Sequence, residues 1–192
     1  LSHWFGKDRK KVQLKTSFSA KKINKKQQFF ITDLKLKSYK SNIFKKIMIT
    51  IREITSKETY AVRQPVLRKG KPIESCMFEG DDLESTHHFG LFDDGNLIGI
   101  ISLFNKINTI FAAQNQAQIR GMAVLDTHQK KGFGEALVKH CETYCNENQV
   151  DLIWFNARTA AVGFYKKMNY QPLGEVFEIK DVGEHYLMFK KL

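Results

Sequence analysis

Arg120-Gly121-Met122-Ala123-Val124-Leu125-Asp126-Thr127-His128-Gln129-Lys130-Lys131-Gly132-Phe133-Gly134 is the stretch on which the fold turns. It opens as an apolar strand, Gln118 to Leu125, and runs into a turn holding Gln129-x-x-Gly132-x-Gly134. A helix then follows from Lys131 to about Cys145, with Phe133, Leu137, Cys141 and Tyr144 on one stripe. A turn at a helix start gathers unpaired backbone N–H groups at one spot, and the helix dipole adds partial positive charge. Pyrophosphate binds such a place. Gly132 and Gly134 let the backbone close on phosphate oxygens without a Cβ in the way, and Lys130 and Lys131 add charge. The string alone is weak evidence, but two rival nucleotide motifs fail outright. No G-x-x-x-x-G-K-[ST] is present. The glycine spacing also misses the dinucleotide fingerprint, which wants G-x-G-x-x-G and an acidic residue about 20 positions on.

Upstream, Met48 to Ile54 alternates as a strand, and Thr55 or Ser56 caps a helix reaching about Leu67. Lys69-Gly70-Lys71-Pro72 breaks the chain, Ile73 to Phe78 reads as a second short helix, and Glu79-Gly80-Asp81-Asp82 is an acidic loop, either simply solvated or placed to attract a cationic substrate. His87 to Phe92 and Leu97 to Asn105 are strands joined by the hairpin signal Asp93-Asp94-Gly95-Asn96. Downstream, Leu152 to Phe155 is wholly apolar, as a buried parallel strand should be. Arg158 to Met168 reads as a helix, with Asn169 suited to a left-handed cap and Pro172 forbidding continuation. Gln171 to Ile179 and His185 to Phe189 close the chain as strands. This order of elements implies an α+β (α/β) fold, a mixed sheet with helices packed on it.

From Met48 to Leu192 the sequence resembles the GNAT superfamily of N-acetyltransferases. Gln129, Gly132 and Gly134 match that family's acyl-CoA pyrophosphate loop, after a strand and before a helix. Asn156-Ala-Arg-Thr-Ala-Ala-Val-Gly-Phe164-Tyr165-Lys-Lys-Met168-Asn169-Tyr170 looks like its next strand–helix segment, with Asn169 in place of the commoner glycine. The resemblance implies a mostly antiparallel sheet with a splayed central strand pair, often with a bulge in the first of the two. It implies acetyl-CoA as acetyl donor and an amine as acceptor, joined by direct attack.

The same resemblance assigns the residues. Met122, Ala123 and Val124 offer backbone to the pantetheine, and a nearby N–H polarises the thioester carbonyl. Gln129, Lys130, Lys131, Gly132, Phe133, Gly134 and Glu135 hold the phosphates, and Phe164 belongs to the cofactor-binding set. Asn156 either bonds the pantetheine or caps its helix. Tyr165 either protonates the departing thiolate or packs beside Phe164. The family's usual base carboxylate falls near Gln118, which takes no proton, so His88 and His185 are the candidates, with His87 a further one. A non-catalytic acyl-CoA sensor is the alternative in which the loop survives without turnover. Arg63 and Arg68 lie on the first helix, which commonly borders the acceptor site, where contact with an acidic acceptor is open.

The chain has 192 residues, 42% of them hydrophobic, enough for one domain with a proper core. No run approaches the ~18 apolar residues of a membrane helix, no secretory layout opens the chain, and three cysteines fit a reducing cytosol. Cytoplasmic localisation follows. Cys141 and Cys145 share a helix face without a further ligand nearby and read as core thiols, so no metal is expected.

The net charge of +11 is unevenly placed. Residues 1–47 carry thirteen Lys and Arg9 against Asp8 and Asp33, a net of +12, whereas residues 48–192 carry 17 basic and 18 acidic side chains. Residues 1–47 are a basic low-complexity extension, either disordered or foreign to the native protein, since their Lys, Asn, Ile and Phe are what AT-rich codons specify and Met48 stands before the domain start. A basic tail for RNA or an acidic surface competes with that reading, and a presequence fits poorly because Arg is scarce. Nucleic acid is not the expected partner, no membrane is expected, and both monomer and homodimer are compatible with the sequence.

Overall fold

The computed structural model describes residues 49–192; the extension 1–47 and Met48 lie outside them. Seven strands, β1 (Ile49–Ile54), β2 (Thr86–Asp93), β3 (Asn96–Asn105), β4 (Gln116–Val124), β5 (Leu152–Arg158), β6 (Gln171–Ile179) and β7 (Gly183–Lys191), form one sheet. Their order is β1-β2-β3-β4-β5-β7-β6. Every neighbouring pair is antiparallel except β4 and β5, which run parallel. Three helices flank the sheet: α1 (Tyr60–Leu67), α2 (Phe133–Glu147) and α3 (Val162–Lys167).

Local chemistry explains most boundaries. Thr55 caps the way into α1 through a reciprocal box: its N–H donates to Glu58 Oε2 at 2.8 Å, and the Glu58 N–H donates to Thr55 Oγ1 at 3.3 Å. Asp94 and Gly95 take φ of 50° and 82°, the two-residue turn that matches the twist of β2 and β3. Asn169 takes φ 67°, and beyond it the Tyr170 N–H reaches back to the Tyr165 carbonyl at 3.1 Å. That closes α3 with a left-handed cap of the Schellman type.

The core has two parts, one on each face of the sheet. Ile101 and Leu103 of β3 join Leu137, Val138 and Cys141 of α2 and Tyr165 of α3 in the larger cluster. Ile100, one residue along and so on the opposite face, joins Ala123 of β4 and Val62 of α1 in the smaller one. Ile153 of β5 is fully buried because the strand is central and covered on both sides, as its unbroken apolar run implied.

Three local expectations need correction. Arg158 does not start a helix: β5 continues through it because Asn156, Ala157 and Arg158 pair with Leu187, Tyr186 and His185 of β7. The chain then makes a 3₁₀ turn at Thr159–Ala161 before α3. Asn156 is therefore a strand residue and not a helix cap. The segment Ile73 to Phe78 is only a 3₁₀ turn, Ile73–Cys76, and then runs extended. The acidic loop is not wholly solvated, because Asp81 is buried against Arg63.

Candidate active site

The site begins where two central strands part. β4 and β5 pair only at Gln116↔Leu152, Ala117↔Ile153 and Gln118↔Trp154. Beyond that rung β4 stays bonded to β3 and β5 to β7, but the edges facing each other have no partner strand. A bulge deepens the parting. Ser102 and Ile100 of β3 sit opposite Arg120 and Ala123 of β4, so β4 carries an extra residue there. Gly121 supplies it at φ 62°, and a Cβ on Gly121 would lie 2.8 Å from Phe78 Cε2 and 3.2 Å from Arg63 Nε. Only glycine fits.

The parting opens a cavity of about 440 Å³ lined by the middle of β4, the end of β5, the end of α1, the loop at Phe78 and the β6–β7 hairpin. Among the expected site residues, Met122, Asn156, Tyr165 and His185 line it. Tyr165 is 6% exposed and packs its ring 4.4 Å from Phe155 and 4.9 Å from Phe164. Burial pushes its phenol well above the ordinary tyrosine range, with Cys141 a smaller contributor, so the hydroxyl holds its proton. His185 is buried, and its Nδ1 donates to the Gly183 carbonyl at 2.7 Å. That bond fixes the tautomer and leaves the Nε2 lone pair as the basic end of the ring.

His88 is placed elsewhere. Its Nε2 donates to the Asp81 carbonyl at 2.8 Å and its Nδ1 faces Ser102 Oγ at 2.7 Å. Ser102 Oγ in turn accepts from Arg63 Nη2 at 2.8 Å, and Arg63 is paired with Asp81. Both His88 nitrogens are thus committed to a buried network behind β3, outside the cavity lining. Arg63, read beside Arg68 as a residue bordering the acceptor, belongs to that network and is fully buried. His87 lies towards α2, between Glu53 Oε1 at 2.8 Å and Tyr144 OH at 2.7 Å.

The second component is the turn leading into α2. The first helical bond runs from the Ala136 N–H to the Gly132 carbonyl, so Phe133, Gly134 and Glu135 present amides that the helix does not use. Gly132 takes φ 83°, and a Cβ built on it would meet nothing within 4 Å, so the space before the helix is open. Lys130 takes φ 60° and is exposed. Lys131 is exposed, and its Nζ donates to the Thr127 carbonyl at 3.1 Å. Gln129 turns its side chain inward: Nε2 donates to the Val124 carbonyl and to Asp126 Oδ1, both at 2.9 Å, stapling the turn to the end of β4. Glu135 pairs with Lys139 one turn on, at 2.6 Å. Phe164 lies against Gly134, 3.5 Å from where a Cβ would stand, and links the turn to Tyr165. Ala123 and Val124 are buried strand residues. The arrangement fits an acyl-CoA: an open, positively polarised helix start stands at one end of β4, and a strand edge without a partner among the described residues leads from it to a buried phenol.

Several polar lining residues carry no signal of their place in the sequence. Gln118, by sequence only a residue that takes no proton, is one of them. It is 7% exposed, and its Oε1 is buried without a hydrogen-bond partner among the described residues. Arg120, Arg158 and Glu79 also face the cavity. A charged residue in a strand carries no signal of the face it takes, and Arg158 was hidden inside an expected helix.

The chain matches the model of the acetyltransferase (GNAT) family over residues 49–170. It is 34% identical over 145 residues to an uncharacterised N-acetyltransferase, YitI, of Bacillus subtilis (strain 168), covering 76% of this chain and 97% of that protein. An aminoglycoside 6'-N-acetyltransferase complexed with coenzyme A shares the fold with a TM-score of 0.61 at 13% identity, covering 74% of this chain and 96% of the other. A GNAT family acetyltransferase of Elizabethkingia anophelis with acetyl-CoA bound does so with a TM-score of 0.54 at 15% identity, covering 75% and 98%.

Proposed function

The chain belongs to the GNAT family and is an N-acetyltransferase, and from that premise we propose that it moves an acetyl group from acetyl-CoA to an amine within one ternary complex. The observation that carries this reading is the parting of β4 from β5 after Gln118↔Trp154, with Tyr165 buried in the opening. Bound there, acetyl-CoA supplies an acetyl group already activated as a thioester.

The remaining work falls to the chain. The amides of Phe133, Gly134 and Glu135 hold the diphosphate, with Lys130 and Lys131 adding charge and Gln129 fixing the turn. The free edges at Met122–Val124 and Asn156 hold the pantetheine as an added strand would, and a β4 amide donates to the thioester oxygen as charge develops there. Gln118 Oε1 accepts an N–H of the incoming amine. His185 Nε2 takes the proton an ammonium must lose before it attacks. Tyr165 donates its O–H towards the sulfur. With its pKa raised above a thiol's, near ~8.5, it stabilises the leaving thiolate by a hydrogen bond more than by full transfer.

Calorimetric titration of the full chain with acetyl-CoA tests the seat, beside Gly132→Glu, which places a carboxylate in the open space before α2. Binding by the wild type that is lost in a folded variant is expected. Turnover of amines should then fall roughly 10²-fold in Tyr165→Phe, in the range of lost acid–base assistance, with acetyl-CoA affinity retained. A folded wild-type chain that binds no acyl-CoA would overturn the reading.

A further inference from the structure

We infer that the acceptor is an amine that also carries an anionic group, a carboxylate or a phosphate, and that Arg68, Arg120 and Arg158 receive that group; this rests on the acetyl-transfer reading above. The cavity is lined by four cations, these three arginines and Lys106, against the single carboxylate of Glu79. Residues 48–192 as a whole carry 17 basic and 18 acidic side chains, so the excess of positive charge is local to the cleft. Among the described residues none of the four cations is ion-paired with a carboxylate. The contrast with Arg63 is direct. That arginine is buried and ion-paired with Asp81, whereas its neighbours face the opening without a salt bridge among the described residues.

Two of the three guanidiniums are held as well as gathered. Arg68 donates from Nε to the Ser75 carbonyl and from Nη1 to the Leu67 carbonyl, each at 3.0 Å. Arg120 donates from Nη1 to the Glu79 carbonyl at 3.0 Å, between the rings of Phe78 and Phe104, each 4.9 Å away. Arg68 lies 5.2 Å from the same Phe78 ring. Carbonyl partners and aromatic faces fix these groups without neutralising them, which leaves planar forks suited to a carboxylate or phosphate. The side chain of Arg158, at the end of β5, has neither a hydrogen bond nor an ion pair among the described residues and is exposed at the opening. Burial, and after it the charge of Arg158, pull the Arg68 guanidinium below its ordinary range. Like charges held this close favour an anion between them. The diphosphate seat at Gln129–Gly134 is not part of this lining, so these cations answer to a different group. An acceptor whose anion sits on them keeps its amine free to reach Gln118 and His185.

The test is calorimetry on the full chain saturated with coenzyme A, titrated with 4-aminobutyrate, O-phosphoethanolamine, butylamine and putrescine. The expected result is that at least one anionic amine binds about tenfold or more tightly than butylamine, as a charge-assisted arginine contact allows, with putrescine weakest. Comparison of the first two ligands tells carboxylate from phosphate. Arg158→Gln, at an exposed position, should remove most of that preference while the titration with coenzyme A is unchanged, and Arg68→Gln should do the same. Anionic amines that bind no better than butylamine or putrescine overturn the inference. So does an Arg158→Gln loss that appears in the coenzyme A titration instead, since the arginine would then serve the donor. If coenzyme A itself fails to bind the wild type, the acetyl-transfer reading falls first and takes this inference with it.

Discussion

Gln118 and Trp154 form the last rung between β4 and β5, and the two side chains end in opposite conditions. Trp154 Nε1 donates to the Lys106 carbonyl at 2.9 Å, whereas Gln118 Oε1 is buried with no partner among the described residues. An orphaned acceptor at the mouth of a cleft costs stability unless a ligand satisfies it. Gln118→Leu should therefore leave the melting temperature unchanged or raise it, while kcat/KM for the amine falls about tenfold, the value of one lost hydrogen bond. A variant with unchanged kcat/KM would show that the amide never meets the acceptor.

On the proposed reading His185 is the proton acceptor, with its tautomer fixed by the Gly183 carbonyl. His185→Gln should lower kcat/KM by roughly 10²-fold, in the range for a missing general base. A variant with unchanged kcat/KM would move the base elsewhere, with Glu79 next in line as the carboxylate of the cavity lining.

Gly121 sets the bulge of β4. Alanine there meets φ 62° and the Phe78 ring edge at 2.8 Å. The left-handed backbone alone costs about 1–2 kcal/mol, and the overpacked contact costs about as much again. Gly121→Ala should lower the denaturation midpoint and also weaken acetyl-CoA binding, because flattening the bulge narrows the parting. Gly163→Ala, where a Cβ meets nothing within 4 Å, is the control and should do neither.

His140 sets an acid limit on stability. It lies edge-on to Phe89 at 4.6 Å, and burial lowers its pKa below the ordinary 6.5. Between the lowered folded value and 6.5 the unfolded chain binds more protons than the folded one, so stability rises with pH across that window. Acidification from neutrality should therefore destabilise the fold, and His140→Asn should blunt the slope below pH 6.5. An unchanged slope in the variant would assign the acid sensitivity to other groups.

How much of this was legible in the sequence divides by range. The turn into α2 was readable because it is local. Gln129, Gly132 and Gly134 lie within one turn, where left-handed glycine and free helix amides act over a few residues. The β2–β3 hairpin at Asp94-Gly95 and the cap at Asn169 are local in the same sense. So is the all-apolar run of β5, because burial on both faces acts on each residue of the strand.

Pairing across the sheet decided the rest. Nothing near Arg158 in the chain marks it as a strand residue; only β7, pairing His185 against it, draws β5 out to that point and turns the arginine into the cleft. Asp81 read as solvated because its partner Arg63 lies 18 residues away and meets it only when α1 packs on the sheet. The same packing separated the three arginines around Phe78, burying Arg63 with a counter-ion and leaving Arg68 and Arg120 facing the cavity. Sequence by itself determined the fold, because backbone conformation and short-range periodicity encode it, and its two motifs carry the family resemblance. Which charges in the cleft are paired was decided by tertiary structure alone, because that depends on whether a partner reaches each one, and it is fixed only when distant segments meet.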